Sequence, residues 1–328
     1  MSKGGGYARL ALIVACGVAG GSLAQTESYP SKAVRMVVPF APGGASDIVG
    51  RIIQPKMSQE FGQQIVIDNR AGASGNIGVE VAAHANPDGY TFLLGNVGTM
   101  AINPSIFPKF PVRPLRDFVH VTELVDVPGA LAVHPSVPVA TVREFVDYAK
   151  ANRGKLNFGS SGAGSAQRME MEIFMRAAGI DLVHIPYKGG AGAATTALVS
   201  GEVSVAVVSL AAVLPHIKNG RIKALGVISP KRFTLLPDTP TMTEVGYPAI
   251  RNGSWQGVYL PLGTSRTVVN KFYQVALRVV ADPEVARRLN EAGAEVVTSK
   301  SPEDFARFMR DQNERFAKVI KEAGVVTE

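Results

Sequence analysis

The sequence is nearly free of cysteine. Its single cysteine, Cys16, lies in an N-terminal segment that we expect to be removed. A chain without cysteine has no disulfide, no thiol nucleophile, no iron–sulfur cluster and no cysteine-ligated zinc. The sequence also lacks blocks of like charge, although 34 basic against 27 acidic residues give a net charge of +7. We expect no nucleic-acid partner, and the basic excess suits an anionic small ligand or weak attraction to a membrane surface.

Catalytic and cofactor motifs are missing as well. The five histidines include no pair four residues apart and no H-E-x-x-H, so no metal site is expected. No G-x-S-x-G nucleophile elbow and no phosphate-binding G-x-x-x-x-G-K-[ST] loop occurs. The sequence Gly162-Ala-Gly164 has no third glycine where a dinucleotide-binding loop needs one. We therefore expect no cofactor, no metal and no catalytic residues.

The first 24 residues have the pattern of a secretory signal. Lys3 and Arg9 accompany an apolar stretch over residues 10–19, which is too short and too rich in glycine to span a bilayer. Small residues at 22 and 24 form a cleavage site, so we expect export and cleavage after Ala24. Residues 13–16 also resemble a lipobox, in which Cys16 would be lipidated, and this alternative stays open. No second long apolar run exists, so we expect the mature protein to be soluble.

Short β-branched runs alternate with helical periodicities along the chain. The first run, Val34–Val38, is stopped by Pro39 and precedes a helical pattern that begins at Ile48. Further strands are expected at 64–67, 91–94, 131–133, 156–158, 183–185, 203–208 and 224–227. A second helix is expected to begin within the glycine-rich residues 72–78 and to run to Ala85. Further helices are expected at 142–151, 167–178, 193–198, 268–280 and 283–292, and after Ser301. The alternation predicts two α/β units in tandem with parallel sheets and helices on both faces. The helical tail fits either unit.

Two segments combine a strand end, a glycine-rich turn and a helix start. They are residues 40–47 and 159–165. The first N–H groups of a helix lack partners, and glycine lets an anion approach them closely. Because each unit has one such segment, we expect a carboxylate or phosphate to be held between two lobes. The alternative interpretation is that both segments are ordinary tight turns without a ligand. Asp47 suits a helix cap better than an anion contact. A third glycine-rich helix start, 72–78, fits a turn and a site equally well.

A set of short motifs follows one order along the chain. They are YPSK (29–32), VPFAPGGASD (38–47), DNRAGASGN (68–76), PDGY (87–90), AINP (101–104), NFGSS (157–161), PYKGG (186–190) and WQG (255–257). Together they resemble the Bug/TctC family, the periplasmic solute-binding receptors of tripartite tricarboxylate transporters. The motifs extend over almost the whole chain beyond residue 29.

The resemblance implies a two-lobed, class II-like periplasmic binding fold, each lobe a mostly parallel sheet flanked by helices. Lobe 1 would comprise residues 29–125 plus 229–328 and lobe 2 residues 126–228, so the tail would return to lobe 1. Hinges would lie near 125–126 and 227–229. Such a receptor captures a small carboxylate and delivers it to integral membrane subunits, and we expect a periplasmic monomer. The alternatives are a sensor of the same fold and an exported enzyme acting on acidic substrates.

The resemblance also assigns ligand binding to four loops, at 40–47, 96–99, 160–165 and 187–190. The residues expected to bind ligand are Phe40, Ala41, Pro42, Gly43, Gly44, Ala45, Ser46, Asp47, Asn96, Thr99, Ser160, Ser161, Gly164, Ser165, Arg168, Tyr187 and Lys188. Arg168 stands where family members often have His, and it would either bind a carboxylate in bidentate fashion or lie on the surface. The segment 190–196 is one residue longer than usual and lacks a common Pro. The identity of the carboxylate is not readable from these residues.

Overall fold

The computed structural model describes residues 1–2, 29–107, 109–110, 112–162, 165–187, 190–229, 231–250 and 253–323. The expected signal peptide with its cleavage site and Cys16 lies outside these ranges, as do Gly164 and Lys188 of the expected site. None of the helices in the described ranges has the length and apolar character needed to cross a bilayer.

Strands and helices alternate through most of the described chain. The strands are β1 (Val34–Val38), β2 (Ile65–Asn69), β3 (Thr91–Asn96), β4 (Phe118–Val127), β5 (Gly129–Val133), β6 (Asn157–Ser160), β7 (Val183–Pro186), β8 (Val205–Ser209), β9 (Lys223–Ile228), β10 (Ser254–Pro261) and β11 (Glu295–Val296). The helices are α1 (Ala45–Phe61), α2 (Asn76–Ala83), α3 (Asn103–Ile106), α4 (Pro114–Asp117), α5 (Val142–Ala151), α6 (Ala166–Ala178), α7 (Gly190–Ser200), α8 (Leu210–Lys218), α9 (Arg266–Ala281), α10 (Pro283–Glu291) and α11 (Pro302–Ala323). A 3₁₀ turn (Ala73–Gly75) precedes α2, and a π-helical turn (Gly98–Ile102) precedes α3.

The strands form two separate sheets. The first sheet has the order β11-β4-β10-β3-β1-β2, and the second has the order β7-β6-β8-β5-β9. Parallel pairing joins β1 to β2 and β3, and β6 to β7 and β8. The strands that lead from one sheet to the other, β4, β5, β9 and β10, make antiparallel pairs. Both sheets are therefore mixed and not mostly parallel as expected, because the chain leaves and re-enters each sheet along adjacent strands that run in opposite directions.

Both faces of the first sheet are covered. Val34 and Met36 of β1 face a core shared with α1, α9 and α10, while Val37 faces the opposite core with α2 and α11. This period-2 division is the reason that apolar residues of the strand point to both sides of the sheet, with Arg35 as the one charged residue among them. The second sheet has the same arrangement, with α5 and α6 on one face and α7 and α8 on the other.

Helix α6 connects the two halves of the molecule. Its inner residues Met171 and Phe174 belong to the core of the second sheet. Ala166 and Met169, near its start, pack instead with Phe316 and Ile320 of α11, which covers the first sheet. The relative position of the two sheets is therefore fixed partly through the start of α6.

Three carboxyl groups are buried near this junction. Glu123 and Asp126 lie on β4, and Glu170 lies on α6. Burial is the main cause that raises the pKa of Glu170 to about 8, with the charge of Asp126 adding to it and that of Arg315 opposing it. Burial likewise raises the pKa of Glu123 to about 8 and that of Asp126 to about 7. Glu123 and Glu170 therefore favour the protonated form at neutral pH, whereas Asp126 is about half protonated there.

The structure agrees with the predicted elements to within a few residues, and helix 142–151 has the predicted bounds. Thr141 accepts a hydrogen bond from the Glu144 N–H (3.1 Å), and the Glu144 carboxylate accepts one from the Ala140 N–H (2.7 Å). This reciprocal capping fixes the start of α5. The sequence prediction missed β4, β10, β11 and α8, and also the short helices α3 and α4. Buried polar residues such as Thr122 and Gln256 interrupt the apolar pattern of β4 and β10.

Candidate ligand-binding cleft

The loop after β1 supplies the first predicted binding segment. Helix α1 starts at Ala45 with Gly44 as its N-cap, so no side chain caps its first N–H groups. Gly43 has a φ of +86°, in the left-handed region that glycine adopts without strain. Ala41 and Pro42 are exposed at the tip of the loop. The uncapped helix start is therefore open to an anionic group.

Asp47 ties this loop together. Its carboxylate accepts hydrogen bonds from the Gly43 N–H (2.9 Å), the Arg51 guanidinium (2.8 Å) and the Asn69 amide (3.0 Å). Burial favours the protonated acid, but the bonds from Arg51, Gly43 and Asn69 outweigh it and lower the pKa of Asp47. Asn69 also donates to the carbonyl of Phe40 (3.0 Å). Both oxygens of Asp47 thus have partners within the protein, which is a structural role. The expected capping role is wrong, because Gly44 is the N-cap and Asp47 lies inside α1, where it accepts from Gly43 before the helix start.

The second predicted segment lies beside the first. The Asn96 amide donates to the Ser46 hydroxyl (3.4 Å), and its oxygen accepts from the Thr99 N–H (3.1 Å). Ser46 and Thr99 are buried. The two segments meet because β1 and β3 are parallel neighbours whose carboxyl ends lie at one edge of the sheet.

The third glycine-rich segment, residues 72–78, also reaches this edge. A Cβ atom at Gly75 would stand 2.6 Å from Cγ2 of Thr99 and 3.2 Å from the ring of Phe40. The segment therefore packs directly on two predicted ligand-binding residues. The sequence pattern left open whether it forms a turn or a site, and the structure places it at the predicted site.

The loop after β6 supplies the segment from the second sheet. Ser165 caps α6 by accepting from the Arg168 N–H (3.3 Å), and its hydroxyl donates to the Gly162 carbonyl (2.9 Å). The Ser160 hydroxyl lies 2.7 Å from Nε2 of His184 and accepts from the Gly162 N–H (3.2 Å). These bonds fold the loop back over the end of the strand.

A small cavity lies behind this loop. Its volume is about 10 Å³, close to the room that one water needs. The polar side chains that line it are Ser160, Ser161, Gln167, Thr195 and Ser209. The Ser209 hydroxyl is buried and has no hydrogen-bond partner within the described residues. A ligand oxygen in the cavity would give it one.

Sequence reasoning missed three of these lining residues, Gln167, Thr195 and Ser209. Ser209 ends the buried strand β8 directly before α8, so the rule that ligands bind at the carboxyl ends of parallel strands would have found it. Gln167 accepts a hydrogen bond from Ser161 (3.3 Å). Thr195 carries no comparable signal, since it lies within the helical run of α7.

Arg168 and Tyr187 flank the second loop. The Arg168 side chain is 18% exposed and lies 3.7 Å from the Glu172 carboxylate, so it is not a surface residue. The Tyr187 N–H donates to the Ser160 carbonyl (2.9 Å). Its hydroxyl donates to Glu202 (2.8 Å), and burial, together with this bond, raises the pKa of Tyr187 to about 12. Neither side chain lines the small cavity.

Comparison with known proteins decides the family. The model of the tripartite tricarboxylate transporter family receptor, TctC, matches residues 49–325. The chain belongs to the TctC family. Protein BugT of Bordetella pertussis is 33% identical over 302 residues, which are 91% of this chain and 91% of that protein.

Solved structures of similar proteins include complexes with dicarboxylates. The R. palustris protein Rpa4515 with adipate has a TM-score of 0.85 at 34% identity and covers 91% of this chain and 99% of its own. MatC from Rhodopseudomonas palustris with bound malate has a TM-score of 0.81 at 32% identity, covering 89% and 100%. The expected fold is thereby confirmed: this TctC-family chain has the two-lobed architecture of periplasmic binding proteins. Within the described ranges, no group of three or more His, Cys, Asp or Glu residues could hold a metal ion.

Proposed function

We propose that this TctC-family receptor captures a small carboxylate between its two lobes and delivers it to integral membrane subunits of a tripartite tricarboxylate-type transporter. The observation that supports the proposal is that polar side chains lie at the carboxyl-end edge of the parallel strands in both sheets. Ser46, Asn96 and Thr99 lie at the edge of one sheet, and Ser160 and Ser209 lie at the edge of the other. Hydroxyl, amide and uncapped helix N–H groups are suitable donors for carboxylate oxygens.

Lobe 1 in this proposal comprises residues 29–125 and 229–328, and lobe 2 comprises residues 126–228. The membership of the two sheets supports most of this division, because strands β5–β9 all fall between residues 129 and 228. The segment directly after residue 229 departs from it, since Phe233, Met242 and Ile250 pack in the cores of the second sheet. The small cavity is lined only by residues of lobe 2, so in this proposal the ligand enters between separated lobes, which then close over it. Ligand contacts to both lobes would shift the population toward the closed form.

The proposed ligand is a dicarboxylate. Two relatives of similar fold are described with adipate and with malate, both of which carry two carboxylates. One carboxylate would meet the uncapped start of α1, and the other would meet the hydroxyl groups around Ser209. We further propose that the N-terminal signal directs the protein to the periplasm, where it acts as a monomer with Gln25 as its first residue.

A binding role suits the site better than catalysis. Ser160 and His184 are 2.7 Å apart, as a nucleophile and its general base would be. However, burial and, after it, the charge of Arg168 together lower the pKa of His184 to about 4. Proton uptake from serine would create an imidazolium that this environment disfavours. We therefore assign the pair to holding the loop.

The test is a binding screen of the mature protein after unfolding and refolding, which removes any ligand carried through purification. Malate, adipate, a monocarboxylate and an aromatic carboxylate are compared by thermal shift and calorimetry. A dicarboxylate at a hundred times its Kd should add about 2.7 kcal/mol to stability and raise Tm measurably. The ligand should be recovered unchanged.

A pair of variants links binding to the cleft. Ser209→Ala should weaken dicarboxylate binding about two- to tenfold, the usual net value of one hydrogen bond. Ser200→Ala, at the exposed end of α7, is the matched control and should bind like the unmodified protein. Absence of binding by every carboxylate would contradict the proposal, and conversion of the ligand into product would indicate an enzyme.

A further inference from the structure

The segment before α2 has an unusual backbone. Four successive residues have positive φ: Gly72 (+128°), Ala73 (+46°), Ser74 (+56°) and Gly75 (+93°). Glycine adopts such angles freely, whereas Ala73 and Ser74 do so against steric strain at Cβ. Strained residues persist where the surrounding structure holds them, and they are frequent at ligand-binding sites.

Buried partners hold this segment in place. Asn103 is fully buried, and its amide donates to the Ser74 carbonyl (3.0 Å) and to the Asn76 side chain (2.5 Å). Gly75 packs so tightly against Thr99 that a Cβ would stand 2.6 Å from its methyl group. The Ser74 backbone is therefore fixed from both sides, and its side-chain direction is fixed with it.

Ser74 points across the cleft. Its hydroxyl oxygen lies 3.8 Å from the position that a Cβ at Gly162 would occupy, and apart from Gly162 and its two chain neighbours it is the nearest heavy atom to that position among the described residues. Gly162 belongs to the loop that carries Ser160 and Ser165, on the other lobe. Ser74 is therefore a first-lobe side chain that reaches the predicted binding loop of the second lobe.

We propose that Ser74 is the residue through which lobe 1 holds the closed form, with its hydroxyl bonding to the Gly162 loop and to the ligand enclosed there. The proposal rests on the function proposed above and adds a determinant of how long the ligand stays bound. A contact made only after closure slows dissociation and leaves association nearly unchanged. The positive φ at this position would favour glycine, which has no side chain. The presence of serine there, in spite of the strain, supplies a hydroxyl group.

Two variants remove the hydroxyl with opposite effects on the backbone. Ser74→Gly relieves the strain, and Ser74→Ala retains it. Ala73→Gly is the matched control, because it relieves strain in the same segment and keeps the hydroxyl. Donor and acceptor dyes on Gln59→Cys and Lys150→Cys, both exposed and on different lobes, report closure by energy transfer in an otherwise cysteine-free mature chain.

Closure is measured first without ligand and then with malate and adipate as probes. Both Ser74 variants should reduce the closed fraction about threefold or more and raise the dissociation rate by a similar factor. The association rate should stay within about twofold, and Ala73→Gly should behave like the unmodified protein.

Unchanged closure and dissociation in both Ser74 variants would overturn the inference. Equal effects of Ala73→Gly and Ser74→Gly would also overturn it, because backbone rigidity would then be the cause. If the unmodified protein binds neither probe, the proposed dicarboxylate function fails. The closed fraction without ligand then decides the role of Ser74 by itself.

Discussion

Replacement of Glu170 by Gln should change how stability depends on pH. Glu170 is 8% exposed, and burial next to Asp126 raises its pKa to about 8 from the ordinary value of 4.5. The folded protein therefore binds this proton more tightly than the unfolded chain does. The resulting stability is fully present below about pH 4.5 and is lost as pH rises through about 8.

The size of the effect follows from the difference between the pKa of Glu170 in the folded protein and its ordinary value in the unfolded chain. One pKa unit corresponds to about 1.4 kcal/mol, so Glu170 alone gives an upper limit of about 4–5 kcal/mol. Glu123 and Asp126 titrate in the same region, and coupled groups share their protons. We therefore expect about 2–4 kcal/mol for Glu170→Gln relative to the unmodified protein at pH 9.

The assay is urea unfolding of both proteins between pH 5 and pH 9 at constant ionic strength. Their free energies of unfolding should be similar at pH 5, where Glu170 is protonated and resembles glutamine in shape. They should diverge progressively between about pH 5 and pH 8 and stay apart above it, with the variant more stable, because the unfolded chain releases this proton near pH 4.5 and the folded protein only near pH 8. Glu314→Gln, at an exposed position of α11, is the control and should not diverge. A constant difference across the pH range would refute the reasoning.

Two further substitutions test the packing of the first sheet. Asp47→Ala should lower the free energy of unfolding by about 1–3 kcal/mol, because it removes the charged acceptor of the half-buried Asn69 amide, the Gly43 N–H and Arg51. Calorimetry should show a smaller loss in ligand binding, and the reverse pattern would identify Asp47 as a ligand contact. Gly257→Ala should destabilise by about 1–3 kcal/mol, because its Cβ would stand 2.4 Å from the Phe305 ring. Gly192→Ala, with nothing within 4 Å of its Cβ, should be neutral or stabilising in the same unfolding experiment.

The binding loops of the two sheets are readable from the sequence because local chemistry determines them. A β-branched run, a glycine turn and a helix start suffice to predict the loop after β1. The same rule predicts the loop after β6, and the Ser165 cap follows its expected chemistry. The parallel pairing of β1 with β3 then places Ser46 next to Asn96.

Other features depend on residues far apart in sequence and carry no local signal. Strand β10 contains two residues that weaken a strand pattern, Gly257 and Pro261, and forms because β3 and β4 pair with it. Nothing in the sequence around Glu170 indicates Asp126, 44 positions earlier, as its partner in space. The approach of Ser74 to Gly162 likewise depends on how the lobes meet.

The position of β10 has a consequence for the order in which the molecule can fold. The second sheet uses strands from one continuous stretch, residues 129–228, and can assemble as soon as that stretch is available. The first sheet has β10 between β3 and β4, so its centre stays open until residues 254–261 arrive. A chain emerging from its N-terminus would therefore complete its second half-molecule before its first. Late closure over long sequence separations is slow, and β3 and β4 present unpaired backbone edges during that interval.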